Sequence, residues 1–312
     1  MHSVDDEVVG DDFVRLLKEK KTVLCPTLVV SHNYSKVFGQ ENHFHPSEFE
    51  RADPFTLGTL FDLQHLNDPK IKRYRDGTRS GKAGDKTLDS ICMVNLKKLS
   101  DAGVRIAAGT DAGNIGTLHG GSYLPELLKM KDAGMSNWQV LQSATINPTY
   151  ILNKEKETGS IAKGKTADML LLDANPLDDL NNLAKISAVV NRGQIIRPDS
   201  LVKETPLALV QRQLNAYNAR DLEAFIEPYA DDVELYDYKT GKLLGKGKEN
   251  MRKDYAFFKQ VPELHCEIKA RIVQGNIIID KESVTGFGGK AMEATAIYHI
   301  EGNKIKKVYF IE

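Results

Sequence analysis

Apolar and polar positions alternate along the first half of the chain in a way that predicts helices and buried strands in turn. Val8, Phe13, Leu16 and Leu17 recur at roughly helical spacing, and Ser3-x-x-Asp6 ahead of them reads as a capping box. Thr22–Val30 is a near-continuous aliphatic and β-branched run, the pattern of a strand buried on both faces, with Pro26 marking a bend or an end. Residues 31–85 are polar and without sustained periodicity, which predicts a long loop. Lys86–Ala102 follows as a helix with Leu88, Ile91, Cys92 and Leu99 on one face and Gly103 behind it. Val104–Ala108 is a short strand, and Gly109-Thr110-Asp111-Ala112-Gly113 a turn. Tyr123–Ala133 is a helix stopped by Gly134, and Ser136-x-x-Gln139 caps another that runs to Asn147-Pro148.

The pattern changes after residue 158. Ala167–Asp173 and Ile186–Val190 read as strands joined by Asn, Pro and Asp turns. Residues 198–205 read as a linker. Pro206 then opens a helix carrying Leu209, Val210, Leu214 and Tyr217 on one face, and a second covers Leu222–Tyr229. Strands are expected at Val233–Tyr238, Leu264–Val273, Ile277–Thr285, Ala291–Ile300 and Lys304–Ile311, with hairpin turns at Gly275-Asn276 and Gly302-Asn303. Helix and strand alternate before residue 148, which predicts an α/β fold with a parallel sheet. Helices precede a run of antiparallel strands after residue 206, which predicts α+β. The expected domains are 1–158, 159–197 and, past the linker, 206–312.

Composition narrows the function classes. The chain has 312 residues, a net charge of -1, 41% apolar and 27% charged residues. There is no basic excess to hold nucleic acid and no apolar run of the ~18 residues that a membrane span needs. The cysteines, Cys25, Cys92 and Cys266, are far apart and contain no Cys-x-x-Cys, so neither a disulfide framework nor a cysteine zinc site is expected. The start of the chain carries no signal peptide, and the compartment is left open.

Chemistry centres on Asp111. A carboxylate just past the end of a parallel strand is where barrel enzymes place catalytic groups, although an Asp in such a turn also serves as an Asx-turn. The motifs Gly109-Thr-Asp-Ala-Gly113, His119-Gly-Gly-Ser-Tyr-Leu-Pro-Glu126, Ala133-Gly-Met-Ser136, Ala144-Thr-Ile-Asn147-Pro and Gly159-Ser-Ile-Ala-Lys-Gly164-Lys-Thr-Ala-Asp168 stand in an order that resembles the amidohydrolase superfamily. The nearest likeness is to its imidazolonepropionase-like and Xaa-Pro dipeptidase-like branch, over residues 2–196. The resemblance implies part of a (β/α)8 barrel and a metal-dependent hydrolase of carbon–nitrogen bonds in amides, peptides or cyclic amides. It implies Asp111 as metal ligand and proton carrier, His2 as a second ligand, His119 as a substrate contact, and a divalent metal, zinc above all. The family's remaining ligands would precede His2, so the expectation is a truncated form whose activity is open. His43-Phe44-His45 has metal-ligand spacing but no strand before it, and reads as a loop pair.

Residues 206–312 resemble NTF2/SnoaL-like domains through Asn218-Ala-Arg-Asp221-Leu-Glu-Ala-Phe225, Tyr229-Ala-Asp-Asp-Val233 and the terminal hairpins. That resemblance implies a cone with an apolar pocket, which Tyr236, Phe257, Phe258, Phe287, Tyr298 and Tyr309 could line, though the same rings read more simply as core. Asp232 and Asp237 are candidate bases, and His265 and His299 candidate polar groups. A non-catalytic role, in binding a small molecule or forming a homodimer, is the alternative to hydrolysis.

Overall fold

The computed structural model describes residues 2–39, 44–62, 86–198 and 204–311, with 69, 72 and 76 as single positions. The chain divides into two compact units: Met1–Gly39 with Asn67–Lys203, and Gln40–Leu66 with Glu204–Glu312.

In the first unit, residues 3–10 are not helical, a correction to the capping box expected at Ser3. Buried Asn95 holds this segment extended: its Oδ1 accepts from Val9 N (2.9 Å) and its Nδ2 donates to Val4 O and Glu7 O (2.9 and 2.8 Å). Helix α1 starts only at Asp11 (Asp11–Glu19), after Gly10. The strand expected over Thr22–Val30 shrinks to β1 (Val23–Leu24), because Pro26 has no N–H to give and Thr27 turns the chain at φ +51°. Helix α2 (Leu28–Gly39) follows at once. The loop expected over 31–85 is thus corrected by α2 and by two further helices, α3 (Pro46–Arg51) and α4 (Pro54–Asp62).

Helix α5 (Lys86–Asp101) leads to β2 (Arg105–Ile106), which pairs in parallel with β1 through Val23↔Arg105 and Leu24↔Ile106. Helices α6 (Tyr123–Asp132), α7 (Asn137–Ala144) and α8 (Ile146–Thr149) complete the α/β part. The Ser136–Gln139 capping box forms as expected, but the helix breaks at Thr145, where φ is -129° and ψ -85°. Leu17, Leu24, Leu96, Leu99, Ile106, Met130 and Val140 form the core. The β unit has three antiparallel strands: β3 (Met169–Leu172), β4 (Ile186–Asn191) and β5 (Gln194–Ile196). The last arises because Arg192 and Gly193, at φ +49° and +83°, close a two-residue hairpin.

The second unit is α+β, as expected. Helix α9 (Pro206–Ala219) is capped by the Thr205 hydroxyl and α10 (Leu222–Ile226) by Asp221. The strands are β6 (Tyr229–Asp237), β7 (Leu243–Lys246), β8 (His265–Gln274), β9 (Ile277–Thr285), β10 (Met292–Glu301) and β11 (Lys304–Ile311). They form one sheet in the order β7-β6-β11-β10-β9-β8, antiparallel except for β11 against β6. Helix α11 (Lys248–Asp254) lies between β7 and β8. Buried Asn218 pins the end of α9 to β8 by giving Nδ2 to Cys266 O and accepting from Cys266 N (3.0 and 2.7 Å). Helices α3 and α4 pack here. Asn215 Nδ2 donates to Pro54 O at 2.6 Å, and a Cβ on Gly58 would lie 2.8 Å from Gln211 Nε2. Phe44, Phe49, Leu57 and Phe61 are all buried. Among the described residues no helix is long and apolar enough to cross a membrane.

Candidate active site

The ends of β1 and β2 carry the candidate residues of the first unit. Three hydrogen bonds fix the exit of β2: Ala107 N to Leu24 O, Ala108 N to Ser143 O and Asn147 Nδ2 to Ile106 O, each 2.8 Å. Asn147 of the Ala-Thr-Ile-Asn-Pro motif therefore holds the strand. Gly109 is needed for closeness: a Cβ there would lie 2.5 Å from Cys25 Sγ on the neighbouring strand end. Asp111 takes a left-handed conformation at φ +52°. Asn114 Nδ2 donates to its carbonyl (2.9 Å), and Tyr34 OH donates to Asn114 Oδ1 (3.2 Å). Two left-handed non-glycine residues, Thr27 and Asp111, thus stand at adjacent strand ends, a form of local strain common at functional sites.

Beside them is a cavity of ≈ 220 Å³ whose lining includes His2, Asp5, Thr27, Cys92 and Asp111. His2 and Asp111, 109 positions apart in sequence, therefore line one cavity. His2 Nδ1 and Thr27 Oγ1 are hydrogen-bonded at 2.9 Å, which leaves Nε2 outside that bond. His119 is not among the lining residues; it is exposed on the loop, next to Gly113. Among the described residues, no group of three His, Cys, Asp or Glu side chains is placed to hold a metal. Two donors fall short of the three protein ligands typical of catalytic zinc, so the residues at hand do not by themselves fit that ion. His43 lies outside the described residues, and His45 caps α3, its Nδ1 accepting from Ser47 N at 3.2 Å.

Directly under Thr27 is a group that sequence reasoning passed over. Glu126 is fully buried, and its two oxygens accept from Leu28 N and Val29 N (3.0 and 2.9 Å), capping the start of α2. Burial pushes its carboxyl up to about 7 against the pull of those two N–H groups. The same burial, with Glu126 nearby, raises the Cys25 thiol. The available signal was one charge between Leu124 and Leu127 on an otherwise apolar helix face.

In the second unit the expected pocket residues do not share one cavity. Tyr236 and Tyr309 stack at 5.1 Å on one face of the sheet. Tyr298, in register with Val308, points to the other face, where its OH donates to Glu282 Oε1 at 2.9 Å. Phe257 packs on Phe287 and on Phe258 (5.5 and 5.4 Å). Asp232 pairs with Lys306, and Asp237 accepts from Thr240 N in a turn, so both candidate bases are in structural use. His265 is buried, its Nε2 3.4 Å from Asp62 Oδ1, and His299 lies against the Tyr309 ring. The carboxyl that sequence reasoning missed is Glu282. Burial pushes it up to about 7, against its bond from Tyr298. Tyr298 and Tyr229 are raised well above the ordinary phenol value, by burial first, and next by Glu282 for Tyr298 and by Tyr255 for Tyr229.

Comparison with known proteins agrees with the two architectures. Residues 42–196 match the amidohydrolase family, and residues 210–308 match the SnoaL-like domain. The chain carries an amidohydrolase-family segment joined to a SnoaL-like domain. An imidazolonepropionase of Treponema denticola is 33% identical over 95 residues, 27% of this chain and 20% of that protein. Another from Thermoplasma acidophilum is 28% identical over 105 residues, 33% of this chain and 25% of that protein. The chain thus spans a fifth to a quarter of the length of these curated relatives. Among solved structures, a Xaa-Pro dipeptidase with methionine bound in its active site aligns with 62% of this chain and 39% of its own, at 23% identity and a TM-score of 0.43. A cystatin-fold protein from Novosphingobium aromaticivorans aligns over all of its length and 35% of this chain, at 29% identity and a TM-score of 0.33.

Proposed function

We propose that the amidohydrolase segment contributes to a metal-dependent hydrolase of carbon–nitrogen bonds in an amide, peptide or cyclic amide. The observation that supports this reading most is the meeting of His2 and Asp111 at one cavity on the ends of paired parallel strands, with Asp111 inside the stretch 42–196 that matches the amidohydrolase family. Asp111, exposed at the strand end, is the group proposed to accept the proton of the attacking water. His2, oriented by Thr27, presents Nε2. His119 is proposed to meet substrate on the outer loop.

The test is the zinc, manganese and iron content of the purified chain beside Asp111→Ala. About one equivalent or more, lost in the variant, supports a working centre; metal-free protein, or metal that the variant retains, sinks the reading for this chain. A second reading is small-molecule binding by the SnoaL-like domain, favoured by Glu282 with its Tyr298 partner on the inner sheet face. Thermal shifts against a panel of apolar cyclic ketones and amides, repeated with Glu282→Gln, test it. A stabilising compound whose effect the variant loses supports it, and a panel that shifts nothing counts against it.

A further inference from the structure

Helix α9 ends at Arg220, which takes the left-handed conformation at φ +58° and ψ +30°. Glycine fits a helix cap of this kind without strain, so an arginine there stands against the backbone preference. Its guanidinium is part-buried beside a cavity of ≈ 370 Å³ within the second unit. Phe44, Phe49 and Phe258 give that cavity its apolar lining, and Phe44 and Phe49 meet edge to face at 6.1 Å. Four charged side chains line it as well: Arg220, Lys259, Asp221 and Glu223. The two carboxylates are engaged within the chain. Asp221 Oδ1 accepts from Ala224 N at 3.0 Å and caps α10, and Glu223 accepts from Nε and Nη2 of Arg252 at 3.0 and 2.9 Å. The two cations are not. Among the described residues neither Arg220 nor Lys259 forms an ion pair. Arg220 Nη1 reaches only the carbonyls of Asn218 and Leu264, at 3.4 and 3.3 Å, long for hydrogen bonds. Burial pulls the Arg220 pKa down, with Glu263 opposing, as befits a cation short of a counter-charge.

We propose that this cavity binds a small organic carboxylate with an apolar body, its carboxylate group on the Arg220 guanidinium and its body against Phe44 and Phe49. Nη1 is the nitrogen that faces the chain's own carbonyls, so Nε and Nη2 remain for a bidentate pair with a carboxylate. Lys259, exposed at the same cavity, adds a second positive charge without a fixed geometry. The apolar body follows from the rings. A bare phosphate gains nothing from them, and a neutral ligand leaves the guanidinium further desolvated with no counter-charge. The volume sets the size class: ≈ 370 Å³ stands near the lower end of the ~300–1,000 Å³ of small-molecule pockets, which suits an arylacetate or a short fatty acid. Phe44 and Phe49 lie outside residues 210–308, the stretch that matches the SnoaL-like domain, so the α3 segment completes a site which that domain lacks by itself. Glu282 and Tyr298 do not line this cavity, so it is distinct from the inner sheet face.

The experiment is isothermal titration calorimetry of the full chain with phenylacetate, beside acetate, which lacks the ring, and phenylacetamide, which lacks the charge. Phenylacetate is expected to bind with a Kd of about 1 mM or below, and the other two at least ~30-fold more weakly. Arg220→Gly is the deciding variant, because glycine suits the left-handed cap and the change removes only the guanidinium. It is expected to keep or raise the melting temperature and to lose about 30-fold or more of the phenylacetate affinity. Should the glycine variant lose its fold, Arg220→Asn takes its place, asparagine being the other residue at ease in this conformation. Asp111→Ala and Glu282→Gln are expected to bind phenylacetate as the parent does. A parent that gives no binding heat at about 10 mM, equal affinity for acetate or phenylacetamide, or a folded Arg220 variant that still binds would overturn the proposal. Loss of binding in Asp111→Ala or Glu282→Gln would overturn it too, by moving the ligand to the strand-end cavity or the inner sheet face. The metal measurement bears on none of these results, so this site and the hydrolase reading stand or fall separately.

Discussion

At the residue scale the site rests on contacts too close to allow ordinary side chains. The Gly109 backbone and the Cys25 sulfur touch across the two strand ends, so Gly109→Ala forces one of them to move. Overpacking of this kind costs about 1–3 kcal/mol. Cys25→Ala removes the obstructing sulfur, so the double variant Cys25→Ala/Gly109→Ala should recover most of the loss that Gly109→Ala causes alone. Urea midpoints of the four proteins measure the coupling, and strictly additive losses would show that the contact is not the cause. The same scale shows what was legible in the sequence. Asp111 was, because a carboxylate between glycines after a short apolar strand is a local pattern. Glu126 and Glu282 were not. Glu126 is a single charge on an apolar helix face and Glu282 one of three consecutive charged residues, Asp280-Lys281-Glu282, and the importance of each comes from what folds over it: the start of α2 in one case, the Tyr298 side chain in the other.

At the scale of elements, the least legible part was α2 to α4. Their apolar residues, Val29, Val37, Phe44, Phe49, Leu57 and Phe61, are sparse and interrupted by Asn, Ser, Pro and Gly, so no 3.6-residue period stands out. Two of these helices are held by tertiary contact. Gly58 in the middle of α4 is a poor helix former, yet it is the residue that lets Gln211 and Asn215 of α9 approach. The strands of the second unit were read closely because hairpin turns such as Gly302-Asn303, at φ +55° and +62°, are local signals. If α4 is part of the second unit's core, Leu57→Ala should destabilise that unit by about 2–5 kcal/mol. Hydrogen exchange localises the effect: protection should fall in α9 and β8 and persist in α6 and α7. Loss of protection in α6 and α7 with none in α9 would contradict the packing.

At the scale of the molecule, each unit contains among its described residues one carboxyl pushed up to about 7, Glu126 in the first and Glu282 in the second. A carboxyl whose folded value lies above its unfolded one binds its proton more tightly when folded. Between about pH 4.5 and 7 the native chain therefore holds more protons than the unfolded one, and stability falls as pH rises through that window. For Glu126 the shift corresponds to something on the order of 3 kcal/mol. Other carboxylates act in the opposite sense. Glu227 is held low, against its own burial, by Lys304 and Arg212, so its contribution is present above its unfolded value and lost as pH drops below about 4.5. The two effects enclose a maximum near pH 5, well to the acid side of the sequence pI of 6.7, at which net charge alone would put no bias. Urea midpoints from pH 4 to 8 should show this maximum, and Glu126→Gln/Glu282→Gln, which cannot ionise at either position, should flatten the decline above it. A parental midpoint that climbs from pH 5 to 8 would mean that both carboxyls ionise as freely inside the fold as outside it. Neither side chain would then be enclosed in the way the α2 cap and the Tyr298 contact require.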